Sequence, residues 1–139
     1  MKKIKNIQGF TLIEILVVIA MIALLASLVA PKLFNKLGSA KTKTAKVQIQ
    51  MAETALDAFR LDFGRYPTEA EGISILWIKP ENQIQWDGPY LPKPLKLDPW
   101  GNPYVYKSPA EGHPFDLISY GADGRVGGDG DKRDISVWD

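Results

Sequence analysis

Cysteine is absent from the 139 residues, and histidine occurs once. The first absence rules out a disulfide, a thiolate metal site and a Cys nucleophile. The second leaves His113 alone to carry imidazole chemistry, and neither His-Glu-x-x-His nor Gly-x-Ser-x-Gly occurs. The residues therefore point away from an enzyme. An excess of one charge is also missing: seventeen Lys and Arg stand against sixteen Asp and Glu, so no polyanionic partner is implied. The glycines at 121, 124, 127, 128 and 130 match neither a dinucleotide nor a phosphate-loop fingerprint, and too little chain follows them for the helix such sites need.

What is present is an apolar run from Phe10 to Ala30 holding one charge, Glu14. Its 21 residues make about 32 Å of helix, enough to cross a bilayer core. A discarded secretory signal peptide would show an apolar stretch of only about 7–15 residues and an Ala-x-Ala site. A carboxylate in a membrane helix costs roughly 2.5–3.5 kcal/mol on insertion scales, so it marks a group that awaits a partner. An amine would serve. Cleavage between Gly9 and Phe10 would free a Phe10 amino group about one helical turn from Glu14, and neighbouring copies could pair amine with carboxylate. Lysines flank the span on both sides (Lys2, Lys3 and Lys5, then Lys32, Lys36, Lys41, Lys43 and Lys46). Charge counting thus gives no orientation, and the rule fails in any case for long translocated domains.

The stretch Lys5-Asn6-Ile7-Gln8-Gly9-Phe10-Thr11-Leu12-Ile13-Glu14 resembles the class III signal of type IV pilins and type II secretion pseudopilins. There a short basic leader ends in Gly and the mature chain starts Phe-Thr-Leu-Ile-Glu. The resemblance implies a cytoplasmic leader, residues 1–9, removed after Gly9 by a prepilin peptidase. It also implies N-methylation of Phe10 and makes Glu14 the assembly contact. Without the leader the chain keeps fourteen basic residues against sixteen acids, a net charge of −2.

Beyond the transmembrane half of the helix, residues 10–30, the helical pattern resumes at Pro31 in an amphipathic spine, residues 31–63. Leu33, Leu37, Ala40, Val47, Met51, Ala55 and Ala58 step along one face, joined later by Ile49, Ala52, Leu56, Phe59 and Phe63. The later half reads as core and the earlier half as contact with sister helices. Gly64 and Pro67 end a helix expected from Phe10 to Phe63, with Pro31 as a kink. Residues 64–139 read as a Pro-, Gly- and Trp-rich loop with a short helix near Glu69 to Trp77, then strands at about Tyr104 to Lys107, Phe115 to Tyr120 and Ile135 to Trp138. The fold class is α+β: one long N-terminal helix on a small three-stranded antiparallel sheet. So small an exported domain, without disulfides, needs another staple.

Three further runs, Tyr66-Pro67-Thr68-Glu69-Ala70-Glu71-Gly72, Asp98-Pro99-Trp100-Gly101-Asn102-Pro103-Tyr104 and Tyr120-Gly121-Ala122-Asp123-Gly124, resemble the major pseudopilins of the type II (general) secretion pathway over essentially the whole chain. Type IV pilins share only the first part. Their usual disulfide-closed loop cannot form without cysteine. The resemblance implies a structural subunit in the bacterial inner membrane, single-pass, with its C-terminal domain in the periplasm. It would polymerise as a helical homopolymer into a periplasmic pseudopilus that drives folded proteins across the outer membrane. Its partners would be a prepilin peptidase, an inner-membrane assembly platform and minor pseudopilins.

Asp123, Asp129, Asp131 and Asp134 crowd into a glycine-rich loop. Hard oxygens on a bendable backbone suit calcium, although an EF-hand is excluded by Arg133 at its fifth position and by the lack of a closing Glu. A solvated turn with local Asx hydrogen bonds reads equally well from the residues alone. The resemblance favours calcium, held by Asp123, Asp131 and Asp134, with Asp129 as the alternative to Asp131 and backbone oxygens of Tyr120 and Arg125 in addition. The competing functional reading is a type IV or competence-type pilin whose filament grips DNA or a surface. Its basis is Lys41, Lys43 and Lys46, which lack interleaved aromatics and suit solvation or lipid headgroups better, so no nucleic-acid partner is expected.

Overall fold

Thr11 caps the first helix of a computed structural model that describes residues 9–139. Helix α1 runs Leu12–Phe63 and passes Pro31 without a break in its assignment. It starts two residues after the expected Phe10, because Thr11 stands outside the helix as its cap. The leader as far as Gln8, with Lys2, Lys3 and Lys5, lies outside the described residues. Gly64 ends α1 as expected: its φ is +70° and its N–H donates to the Arg60 carbonyl at 2.8 Å, the left-handed stop that glycine supplies.

The chain divides into two compact units, Met1–Leu37 and Gly38–Asp139. In the first, α1 is long and apolar enough to cross a membrane. Its apolar side chains are exposed from Leu12 to Leu37, as suits a helix whose neighbours are lipid or other chains.

The second unit holds the core. Ala45, Ile49, Ala52, Ala55, Leu56 and Phe59 form the buried face of α1, against Ile75, Leu76, Leu91, Tyr104, Tyr106, Phe115, Leu117 and Ile135. The spacing is helical, three or four residues per step. Of the two expected stripes, the one containing Ile49, Leu56 and Phe59 supplies most of the core, joined by Ala55 of the other. Val47 and Met51 of that other stripe are 54% and 50% exposed, which corrects their assignment to core packing: the loop and sheet cover one side of the helix only. Truncating a fully buried member such as Leu117 to Ala costs about 2–5 kcal/mol.

Strands β1 (Val105–Lys107), β2 (Asp116–Ser119) and β3 (Ile135–Ser136) form an antiparallel sheet in the order β1-β2-β3. Val105 faces Ile118, and Ser119 faces Ile135. Alternation buries Leu117 and Ser119 of β2 and leaves Asp116 and Ile118 half-buried. The strands are shorter than their sequence signals, most of all β3, where the Ser136 and Trp138 amides turn to Asp139 Oδ2 and Ser136 Oγ. The short helix expected near Glu69 to Trp77 is a single 3-10 turn, Ile73–Leu76.

Side-chain pins stand where a disulfide is lacking. Tyr104 donates to Gln48 Oε1 at 2.6 Å, Tyr66 to Asp57 Oδ1 at 2.8 Å and Tyr90 to Asp62 Oδ2 at 2.5 Å, each tying the loop or sheet to α1. Burial, with Asp62 beside it, pushes the Tyr90 hydroxyl up to about 12, so it remains a donor at neutral pH.

Candidate functional site

Two regions carry the chemistry. At the start of α1, Glu14 Oε2 accepts the Thr11 backbone N–H at 2.8 Å, and Thr11 Oγ1 accepts the Glu14 N–H at 3.3 Å. This reciprocal closure is a capping box, which satisfies two helix-end donors that would otherwise lack partners. Thr-x-x-Glu is its signature, and the sequence reading passed over it. Gly9 and Phe10 precede the helix, Phe10 is 85% exposed, and among the described residues nothing lies within 4 Å of a Cβ built on Gly9. Their peptide bond is thus free of helical hydrogen bonding.

The second region is the acidic loop after β2. Two 3-10 turns, Gly121–Asp123 and Gly130–Lys132, lie side by side. Their close passage requires glycine at 121, where φ is +65° and an added Cβ would stand 2.7 Å from the Asp131 carbonyl oxygen. Asp123 Oδ1 accepts the Arg125 N–H at 3.2 Å, and Asp134 Oδ2 accepts the Gly127 N–H at 2.9 Å. Asp131 is turned to the base of the spine, its carboxylate against Gly38 of α1. Asp129 precedes the second turn and makes no side-chain cap there. The loop also carries Arg125, Lys132 and Arg133, and among the described residues none of its aspartates pairs with a cation.

The resemblance implies calcium here, and the donor set fits a hard cation in one respect. Asp134 Oδ1 is buried and has no hydrogen-bond partner among the described residues, a state that costs roughly 1–3 kcal/mol unless something completes it. The structure does not gather the acids fully. Among the described residues no group of three His, Cys, Asp or Glu side chains is placed to share an ion. Oxygens in addition to carboxylates, such as backbone carbonyls and water, would have to complete six to eight ligands.

Sequence reasoning also missed the supports of this region. Asp98, 5% exposed, accepts N–H groups of Trp100 and Asn102 and the hydroxyl of fully buried Ser119. Another support closes the Tyr66 to Gly72 run. There Arg65 grips Glu71 with two hydrogen bonds of 2.7 and 2.8 Å, and the Thr68 N–H donates to Glu71 at 2.7 Å. Thr68-x-x-Glu71 repeats the capping-box signature. The bonded Arg65 guanidinium, aided by Thr68, holds the Glu71 carboxyl at about 2. His113 stacks on Trp138 with ring centroids 4.2 Å apart, and Trp138 donates from Nε1 to the Phe115 carbonyl at 2.8 Å, closing the hairpin over the last strand.

A family model described as Type II secretion system (T2SS), protein G matches residues 32–138, and one for the prokaryotic N-terminal methylation motif matches residues 4–30. The Type II secretion system core protein G of Pseudomonas aeruginosa is 43% identical over 135 residues, covering 95% of each chain. That of Vibrio cholerae is 40% identical over 141 residues, covering 99% of this chain and 96% of the relative. Among solved structures, the major pseudopilin from the type 2 secretion system of enterohaemorrhagic Escherichia coli superposes with a TM-score of 0.58 at 32% identity, covering 72% of this chain and 88% of that one.

Proposed function

This chain belongs to the type II secretion system protein G family, and we propose from that premise how its parts serve a pseudopilus subunit. The subunit polymerises into the periplasmic pseudopilus that drives folded proteins across the outer membrane. The observation that carries this reading is the match over residues 32–138, the part in which secretion pseudopilins differ from adhesive and competence pilins. The work is structural, and no catalytic role is assigned to any side chain.

The finer steps follow from the start of the chain. A prepilin peptidase hydrolyses the Gly9–Phe10 bond, and the freed Phe10 amine is methylated; the methylation-motif match over residues 4–30 and the non-helical setting of the bond support this. The amine then pairs with Glu14 of a neighbouring subunit in the filament. Residues 10–30 anchor the subunit in the inner membrane, with the C-terminal domain in the periplasm. An assembly platform and minor pseudopilins are its partners there.

The acidic loop, and with it β3, would be ordered by bound calcium. Asp123 and Asp134 would hold it, with one of Asp131 and Asp129 and the carbonyls of Tyr120 and Arg125. The buried, unpartnered Asp134 Oδ1 supports a cation there.

Intact mass of the protein extracted from membranes tests the processing step. The expected mass lacks Met1 to Gly9 and carries one added methyl, and Gly9→Val leaves the chain inserted but uncut. An uncut wild-type chain in cells that possess the peptidase would overturn it.

A further inference from the structure

The turn Asp98–Asn102 lies before β1, yet its hydrogen bonds converge on the start of the acidic loop. Asp98 Oδ1 fixes Asn102 by accepting its N–H at 2.8 Å, and it also accepts the Trp100 N–H at 3.0 Å. Asp98 Oδ2 accepts the Ser119 hydroxyl at 2.6 Å, and Ser119 Oγ in turn accepts the Gly121 N–H at 3.3 Å. Asn102 Nδ2 donates to the Gly121 carbonyl at 2.7 Å. That carbonyl also accepts the Gly124 N–H, at 3.4 Å. Both backbone polar groups of Gly121 are therefore held from one buried carboxylate, each through one residue: the N–H through Ser119 and the carbonyl through Asn102. The Asn102 amide also fills the elbow at Gly124, where an added Cβ would stand 3.1 Å from Asn102 Oδ1. No cation balances Asp98 among the described residues. Its charge is met by two amides and a hydroxyl, which is how buried carboxylates are held in fixed geometry.

We propose that Asn102, anchored by Asp98, is a positioning residue for the calcium loop. It sets the Gly121–Gly124 turn from which the Tyr120 carbonyl and the Asp123 carboxylate project, so that these oxygens are ordered before a cation arrives. The inference rests on the calcium reading above. Partners that orient ligands without touching the ion typically change metal affinity by about 10- to 100-fold when lost. The Asn102 side chain bonds the loop at one carbonyl, so its removal leaves the core and sheet untouched.

The test uses the full chain in detergent micelles. Calcium affinity is measured calorimetrically for wild type and Asn102→Ala, together with the melting temperature in chelator and hydrogen exchange at the Gly124 amide in chelator. The expected result is an affinity lowered about 10- to 100-fold, with the chelator melting temperature close to wild type and faster Gly124 exchange without calcium. Wild-type affinity in Asn102→Ala would overturn the positioning role while leaving the calcium reading intact. A matched fall in chelator melting temperature would also overturn it, since Asn102 would then be a structural residue. Absence of calcium binding by wild type would overturn the calcium reading and the proposal together, even with Gly124 exchange altered.

Discussion

Glu14 is bound within its own chain to Thr11, accepting the Thr11 N–H at 2.8 Å. The carboxylate is therefore held at the helix start before any neighbour arrives. A carboxylate offers about four acceptor sites, so Glu14 can keep its cap and still receive an amine. Cap and charge are separable by substitution. Glu14→Gln keeps an acceptor for Thr11 but removes the charge, and Glu14→Leu removes both while making the span more apolar. Both variants are expected to insert and be cleaved, and both are expected to fail in assembly. Filament counts by electron microscopy check this, and normal pseudopili from Glu14→Gln would show that the charge is not the contact.

The Arg65 and Glu71 pair gives a pH signature. The Glu71 carboxyl lies lowered, from 4.5 to about 2, chiefly through its hydrogen bond with Arg65. A depressed folded pKa contributes stability above the unfolded value, near 4.5, that is lost as pH falls toward 2. Partial exposure of both side chains limits the contribution to about 1 kcal/mol. Glu71→Gln is expected to melt a few degrees below wild type at pH 7, and the two curves are expected to converge near pH 2. A gap that persists at low pH would refute the linkage.

For the acidic loop, melting in calcium against chelator is the measure. Ligand binding to the folded state alone raises stability as RT ln(1 + [L]/Kd), and calcium sites of about 10⁻⁴–10⁻³ M suffice wherever calcium is abundant. Wild type is expected to melt higher in calcium, and Asp134→Ala and Asp123→Ala to lose most of the response. Whichever of Asp131→Ala and Asp129→Ala also loses it identifies the remaining ligand. Equal melting of wild type in calcium and chelator would make the loop a hydrogen-bonded turn.

Gly38 offers a sharper test of the Asp131 placement. Glycine inside a helix costs about 1 kcal/mol against alanine, and the obstacle to a Cβ here is the tip of the flexible Asp131 side chain rather than backbone. Gly38→Ala is thus expected to be neutral or slightly stabilising in chelator, with Asp131 displaced. A fall of several degrees in melting temperature would mean that the Asp131 contact holds the loop on the spine.

The elements were legible where the signal is local. The apolar run, the glycine at 64 and the β-rich segments between turns each predict the element that forms, because period and breaker act within a few residues. The two Thr-x-x-Glu boxes are equally local signals, since each closes within four residues. The Asp98 network was not legible: Asp98 and Ser119 are 21 residues apart, Asn102 and Gly121 are 19 apart, and no periodicity announces such pairings. The helix face shows another limit. Periodicity finds apolar stripes, but which stripe a loop covers depends on where the loop lies, so Val47 and Met51 looked like core and are half-exposed. At the candidate site, composition drew attention to four aspartates, while their orientation depends on glycine contacts that are set only in the fold.

The most direct test of the central claim is secretion itself. Cells lacking this chain, with the remaining secretion components intact, are assayed for folded exoproteins in periplasm and medium. Exoproteins are expected to accumulate in the periplasm, with export and pseudopili restored by wild type but not by Glu14→Gln. Unchanged export from cells lacking the chain and any second copy of it would contradict the account.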